Sequence, residues 1–479
     1  MMNCAHTRRF HDFRGKLTFA KIIQLVTAII CCTLLLPIAT AQAATSVTRT
    51  NVTFQGDGGL ALHGIIVAPL AAGHYPGLVM VGGSGAATTA DFNDEADAFA
   101  QRGIVTLIYD KRTVGYSNFQ RDYSVLANDA IGGVTLLRSQ SNVNPAMVGV
   151  FGLSEGAWVA PLAATRTDTA AFVITVGAAG GSPSQQIAWQ YTEWLHHAGV
   201  TESLQHMMEN ATRVGAGLGL IAEADYNAVS VWRQVQQPVL ALWGDFDRHD
   251  APAANSQIIV QALQRGGNAH YTTRFIPNAQ HDLHVTHDGG YDNLQGLAPG
   301  YANTVGSWVN SLTRGLSSVS VTEAPRDDVT NAPLAPLRWY ESRWVLLTGF
   351  FSMLVIFGSY PIVALWRRLR RYAGATALRW PMRWLAAFGF AAVAGFFVYF
   401  AFLVSTSASD VGTVLLGNPI PWIILRLLAA AATASAAWTA VKWYQQRGEI
   451  RGGRAQVSLM LAGGALLLTW ATFWGMLIL

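Results

Sequence analysis

Two hydrophobic rhythms divide the chain. From residue 45 to residue 312, short apolar runs alternate with amphipathic stretches. Val47–Phe54 and Leu60–Ala68 flank the turn QGDGG and predict a β-hairpin. Leu78–Val81, Ile104–Tyr109, Val148–Phe151, Phe172–Val176, Val239–Trp243 and Tyr271–Ile276 read as buried strands, because they are short, rich in β-branched residues and end in Gly or Asp. Helix-length segments lie between most of them: Asp91–Arg102, Asp122–Arg138, Glu155–Thr165, Ala251–Arg265 and Gly300–Leu312. This alternation predicts an α/β fold with a mostly parallel sheet covered on both faces. Residues 182–237 break the rhythm with a helical pattern too long for a plain crossover, so they read as an inserted helical cap.

The second rhythm begins near residue 340. Residues 313–340 form a linker with Pro325, Pro333 and Pro336 and no apolar period. Four apolar runs follow, at about 344–366, 384–404, 420–441 and 457–479. Each is long enough to cross a ~30 Å hydrocarbon core, so residues 341–479 read as an all-α, four-span transmembrane domain. Trp and Tyr cluster at the span ends as interfacial anchors do.

Composition agrees with this division. The 479 residues are 51% hydrophobic and 13% charged, where a soluble domain is roughly 25% charged. A disordered chain, a collagen and a nucleic-acid binder are excluded, since aromatics are plentiful, Gly shows no triplet period and the net charge is only +4. The positive charge reports orientation. Arg367, Arg368, Arg370, Arg371, Arg379 and Arg383 sit between the first two spans, and Lys442, Arg447, Arg451 and Arg454 between the last two. The middle loop, 405–419, has no Lys or Arg. The arginine loops are therefore expected in the cytoplasm, with the α/β domain in the periplasm or exterior of a bacterial inner membrane. The N-terminus agrees: a basic stretch, the apolar run 22–38 and the small-residue site Ala41-Gln42-Ala43 read as a signal peptide over residues 1–43. Cys4, Cys31 and Cys32 are the only cysteines, which rules out a disulfide framework or a thiolate metal site in the rest of the chain.

The candidate chemistry lies in the α/β part. Gly152-Leu153-Ser154-Glu155-Gly156 is a G-x-S-x-G motif between a predicted strand and a predicted helix. Small residues there permit a sharp turn that exposes Ser154 as a nucleophile. A serine hydroxyl needs a base, and the base needs an orienting acid. After such an elbow the acid comes next in chain order and the His last. The strand 239–243 leads into Gly244-Asp245-Phe246-Asp247, whose spacing favours Asp247, with Asp245 and Asp250 as competitors. At least one of these Asp residues is expected to cap the helix near Ala251. The strand 271–276 leads to His281, with His284 and His287 as competitors. A metal cluster in HDLHVTH is disfavoured, because a catalytic zinc needs ligands on rigid elements. The oxyanion requires preorganised N–H donors. Glu155 supplies one, and Ser84 in the loop Val81-Gly82-Gly83-Ser84-Gly85 the other, with Gly83 as its neighbour. That loop lacks the Lys-Ser/Thr ending of a phosphate-binding loop.

Taken together, these motifs resemble the α/β-hydrolase superfamily, most closely its dienelactone-hydrolase-like and prolyl-oligopeptidase-like members. Tyr109–Ser117 (YDKRTVGYS) is similar to their D-x-R-G-x-G-x-S loop, and GLSEGAWVAP to their G-x-S-E-G-G-x-x-A-P elbow. Two positions depart: Gly82-Gly83 stands where His-Gly is usual, and Thr113 follows Arg112 where Gly is usual. The resemblance covers residues 45–312 and extends to no part of the spans. It implies an α/β-hydrolase fold and a cofactor-free, metal-free serine hydrolase acting on a small acyl or peptide-like substrate, and the four spans place that activity at the lipid bilayer. Ester chemistry comes first, aminopeptidase or acyl-peptidase chemistry second, and a non-catalytic membrane sensor is the alternative of another class. Two further features stay open. Asp110-Lys111-Arg112 serves either a substrate carboxylate or loop support; Glu155 serves either a substrate amine or only its own N–H.

Overall fold

The computed structural model describes residues 47–117, 119–292, 294–315, 318–370, 378–446, 448 and 453–477. The signal-peptide reading, the three cysteines, Arg371, Arg447 and Arg451 lie outside them. The described residues form one compact unit.

Strands β1 (Val47–Gln55) and β2 (Ala61–Pro69) pair antiparallel, in the hairpin that the QGDGG turn predicts. They are followed by β3 (Tyr75–Val81), β4 (Val105–Tyr109), β5 (Val143–Leu153), β6 (Val173–Val176), β7 (Val239–Gly244) and β8 (Tyr271–Ile276). The sheet order is β1-β2-β4-β3-β5-β6-β7-β8, and every pair from β4 onward is parallel. A ninth strand, β9 (Ser320–Val321), joins the edge beside β8. Successive side chains of a strand point to opposite faces. Val79, Leu107, Val150, Val173 and Ala241 therefore pack on one side against helices α2 (Tyr123–Arg138), α3 (Gly156–Thr165) and α7 (Pro252–Arg265). Leu78, Ile108, Phe151, Ile174 and Leu240 pack on the other against α1 (Asn93–Ala100) and α8 (Tyr301–Leu312). The strand order reverses at β3, and the crevice at such a switch point is where open α/β sheets bind ligands. The loops after β3 and β5, which carry Ser84 and Ser154, end there.

The insertion folds as α4 (Pro183–His197), α5 (Glu202–Gly217) and α6 (Ala228–Trp232). Only α6 returns to the sheet core, through Ala228, Val231 and Trp232. Leu195, Leu204, Met207, Met208, Ala211 and Val214 instead share a core with the membrane-length helices. There are four of these, long and apolar enough to cross a membrane: α9 (Arg343–Leu369), α10 (Arg379–Ser405), α11 (Ile420–Gln446) and α12 (Arg454–Phe473). Within them the small residues Ala429 and Ala432 are fully buried, as close helix packing requires. Polar groups fasten the insertion to this bundle. Trp422 Nε1 donates to Ser203 Oγ (2.9 Å), Asn210 Nδ2 donates to the Phe473 carbonyl (3.1 Å), and Arg213 pairs with Glu341 (2.7 Å). The turn between α4 and α5 grips the α10–α11 loop, where the Thr201 N–H and hydroxyl both donate to the Gly417 carbonyl (2.7 and 3.0 Å).

The stretch after α8 is tied down along the hydrolase surface. Asp327 accepts from the N–H groups of Ala253 and Ala254 (3.0 and 2.9 Å), Asp328 pairs with Arg248 (2.6 Å), and the Val329 carbonyl accepts from Trp189 Nε1 (3.1 Å). The expectation that an Asp of the 245–250 loop caps α7 is thereby corrected. Asp327 satisfies those N–H groups from the far side of the sequence, and the carboxylate of Asp247 is engaged elsewhere.

Candidate active site

Ser154 stands between β5 and α3 with φ +54°, in the left-handed region that a non-glycine residue rarely adopts. The two glycines of the motif make this turn possible. A Cβ on Gly152 would lie 1.9 Å from the Gly156 carbonyl oxygen, and one on Gly156 would lie 2.2 Å from the Val81 carbonyl oxygen. Either would force backbone apart, so the tight approach of β5, α3 and the end of β3 needs glycine at both places. The Ser154 N–H extends the sheet ladder to the Val176 carbonyl (2.9 Å).

His281 and Asp247 come from the loops after β8 and β7. Nδ1 of His281 lies 2.9 and 3.0 Å from the two oxygens of Asp247, which is 1% exposed. Oδ1 of Asp247 also accepts the N–H groups of His249 and Asp250, both at 2.9 Å. With Nδ1 committed to Asp247, Nε2 is left to exchange a proton. The imidazole packs against Gly177, where an added Cβ would lie 2.5 Å from its Cε1. Gly177 follows Val176, whose carbonyl holds the Ser154 N–H, so one peptide step separates the anchors of the two side chains.

Burial acts against the charge on Asp247, but the facing His281 and its hydrogen bonds hold the carboxyl below its usual value. Burial likewise disfavours the His281 cation, yet the Asp247 and Asp250 carboxylates prevail and raise it to about 9. Asp250, 3.7 Å from Nδ1, is itself pushed up to about 8, by burial and then by the neighbouring Asp247. As Asp250 takes up a proton, its pull on the imidazole disappears. The His249 ring lies 4.9 Å from that of His281, and burial together with His281 lowers its pKa to about 4, so it faces the imidazole as a neutral ring.

The remaining sequence candidates separate clearly. Asp245 accepts from the Ala279 N–H (3.3 Å) and braces the His281 loop. His284 lies 3.6 Å from Glu95 and 3.4 Å from Asp282. His287 is exposed. Among the described residues the group with metal-ligand spacing is Asp247, Asp250 and His281, not the three histidines of HDLHVTH.

The oxyanion candidates sit beside Ser154. An added Cβ on Gly83 would lie 3.4 Å from that of Ser154. The N–H groups of Ser84 and Glu155 have no backbone acceptor among the described residues. The Glu155 side chain, 1% exposed, accepts from Lys111 (2.9 Å), Tyr116 (2.8 Å) and Arg121. Arg112 pairs with Asp129 (2.8 Å). Lys111 and Arg112 thus support the loop, and Glu155 is closed to a substrate amine. Lys111 also donates to the Gly83 carbonyl, which fixes the oxyanion loop. Sequence reasoning missed Tyr116 and Arg121 as members of this network; both belong to the D-x-R-G-x-G-x-S region or follow it closely. A cavity of about 630 Å³ opens beside the loop, lined by Ser84, Leu153, Asp91, Asp94, Glu95 and Asp282.

Fold and elbow define an α/β hydrolase. Within that class, residues 90–296 match the prolyl oligopeptidase family, a stretch that includes Ser154, Asp247 and His281. The polyketide transferase claH of Penicillium crustosum is 38% identical over 89 residues, 18% of this chain and 29% of that protein, so less than a third of that curated relative is spanned. Among solved structures, a 2,6-dihydroxy-pseudo-oxynicotine hydrolase is similar at 17% identity over 62% of this chain and 75% of that one, with a TM-score of 0.41. A dienelactone hydrolase from Anabaena variabilis is similar at 18% identity over 56% of this chain and 99% of that one, with a TM-score of 0.35. The chain carries a serine-hydrolase domain of the α/β type.

Proposed function

We propose that the protein is a membrane-anchored serine hydrolase that cleaves carboxylic esters through an acyl-enzyme. Ser154 attacks the carbonyl while His281 Nε2 takes its proton, and Asp247 orients the imidazole and stabilises the cation that forms. The N–H groups of Ser84 and Glu155 bind the oxyanion. His281 then protonates the leaving alcohol, and water activated by the same imidazole releases the acid. The observation that carries this reading is the left-handed Ser154 elbow beside a buried Asp247–His281 pair. A sensor without catalysis has no use for that strain or for a buried charge pair, each of which costs stability.

The insertion meets the α10–α11 loop, at the bundle end opposite Arg367, Arg368 and Arg454. Arginine on the cytoplasmic side supports an extracytoplasmic catalytic domain in a bacterial inner membrane. A peptidase acting on aminoacyl or acyl-peptide bonds is the second reading. The family match favours it, as do the carboxylates of Asp91, Asp94, Glu95 and Asp282 around the oxyanion-side cavity, which suit a protonated amine.

The test is turnover of matched panels of acyl esters and aminoacyl amides by the purified full chain. Esters should be the better substrates, and Ser154→Ala should lower kcat/KM by roughly 10⁴-fold or more. Equal turnover by Ser154→Ala would sink the enzyme reading, and preference for amides would select the peptidase.

A further inference from the structure

A second cavity, of about 370 Å³, opens on the imidazole side of the site. Its walls come from three distant parts of the chain. His249, Gln280 and His281 form the catalytic wall; Gln190 and Trp194 come from α4; Thr406, Ser407 and Ser409 come from the loop between α10 and α11. Tyr291 closes it, held by its hydroxyl on Glu193 (2.7 Å) and by the Arg248 guanidinium 5.2 Å from its ring. The membrane-side wall is built with effort. Ser407 and Ala408 both adopt positive φ, +51° and +59°, with Ala408 N–H donating to the Leu403 carbonyl (2.8 Å). Two successive non-glycine residues in that region mark a loop whose shape the surroundings enforce.

The lining states what chemistry fits. It offers amide, hydroxyl and aromatic groups, and it contains no Lys or Arg. Arg248 stands behind Tyr291 and is neutralised by Glu193 (2.9 Å) and Asp328 (2.6 Å). Of the charged groups in the wall, His281 is matched by Asp247, Asp282 faces His284 (3.4 Å), and Asp292 accepts the His287 N–H (2.8 Å), so none calls for a charged ligand. A phosphate or other anion is therefore unsuited, and so is a bare hydrocarbon chain. Aromatic faces with neighbouring hydrogen-bonding groups suit a polyol. The mechanism adds direction: the leaving alcohol receives its proton from His281, so it lies on the imidazole side, away from the oxyanion loop.

Resting on the hydrolase reading above, we propose that this cavity is the leaving-group subsite for an uncharged, hydroxyl-bearing alcohol, a glycerol or sugar moiety of an acyl ester, and that the membrane region supplies one of its walls. The bundle is then part of the substrate site as well as its tether.

The experiment compares kcat/KM of the full chain in detergent for two esters of one acyl chain, the glyceryl and the ethyl ester. The expected result is a preference of at least tenfold for the glyceryl ester in the wild type. That ratio should fall at least fivefold in Ser407→Trp and in Ser409→Trp, both of which change exposed residues and fill the cavity. A fluorophosphonate adduct on Ser154 and the melting temperature report that each variant is folded. A wild-type ratio near one, or a ratio within twofold of wild type in both variants, overturns the subsite alone. Absence of both turnover and adduct in the wild type overturns the hydrolase reading and the subsite with it.

Discussion

Helices α4 and α5 are neighbours in the same insertion and both reach the bundle core, α4 through Leu195, yet only α4 also reaches the loops after β7 and β8. Helix α4 turns polar and aromatic groups toward the catalytic loops. Its Glu193, fully buried, holds Arg248 and Tyr291, and its Gln190 Nε2 meets His249 Nδ1 at 2.9 Å. Helix α5 buries Leu204, Met207 and Met208 among the membrane-length helices. One insertion thus couples the site to the bundle, with α4 serving both through opposite sides and α5 serving the bundle. A helical cap in the ordinary sense would only cover the site; this one also roots it.

Substitutions on the two helices should fail differently. The largest effect is expected on the bundle side. Met207→Asp places an unpaired charge in a fully buried position and should cost at least about 4 kcal/mol, read as loss of folded protein on extraction into detergent. Glu193→Ala on the site side leaves Arg248 with Asp328 alone and the Tyr291 hydroxyl without its acceptor and should destabilise by about 2 kcal/mol, read as a lower melting temperature together with weakened turnover. Equal effects on turnover from the two helices at matched stability would erase the distinction between them.

Acid–base behaviour sharpens the site side. In the proposed mechanism His281 accepts the Ser154 proton only when neutral, and its pKa is raised by two carboxylates. Activity should therefore increase with pH through the range above neutrality, as His281 loses its proton. Asp250→Asn removes one of the raising charges, so the acidic limb of kcat/KM should move to lower pH by about one unit. A limb unmoved by Asp250→Asn would show that Asp250 is already protonated where the enzyme works. The smallest effect returns to the bundle side: Trp422→Phe removes the bond to Ser203 and should cost about 1 kcal/mol without altering the pH profile.

The elbow was legible in the sequence because it is local: a strand, five residues and a helix. The candidate acid and base follow from chain order, since Asp247 and His281 each come just past a predicted strand, and the structure places the two side chains in contact. The spans were legible from length and apolar pattern, and they begin and end within a few residues of α9–α12. What escaped depends on partners distant in sequence. An amphipathic pattern marks α5 as a helix but does not say that its apolar face joins one core with Trp422 and Trp470. Nothing near Ala251 announces that Asp327 caps the helix there. The Pro-rich stretch 313–340 reads as a tether because its anchoring groups are single side chains without a period. Glu155 looked available to substrate because its partners, Arg121 and Lys111, lie 34 and 44 residues away.

Whether Ser154 is a nucleophile activated by His281 is decided by mapping a covalent adduct. Full-length protein in membranes is treated with a fluorophosphonate, and the modified residue is located by mass spectrometry in the wild type and in His281→Ala. The expected result is a single adduct on Ser154 in the wild type and labelling slowed by roughly 10³-fold or more in His281→Ala. An adduct on another residue, or Ser154 labelled equally fast without His281, would contradict it.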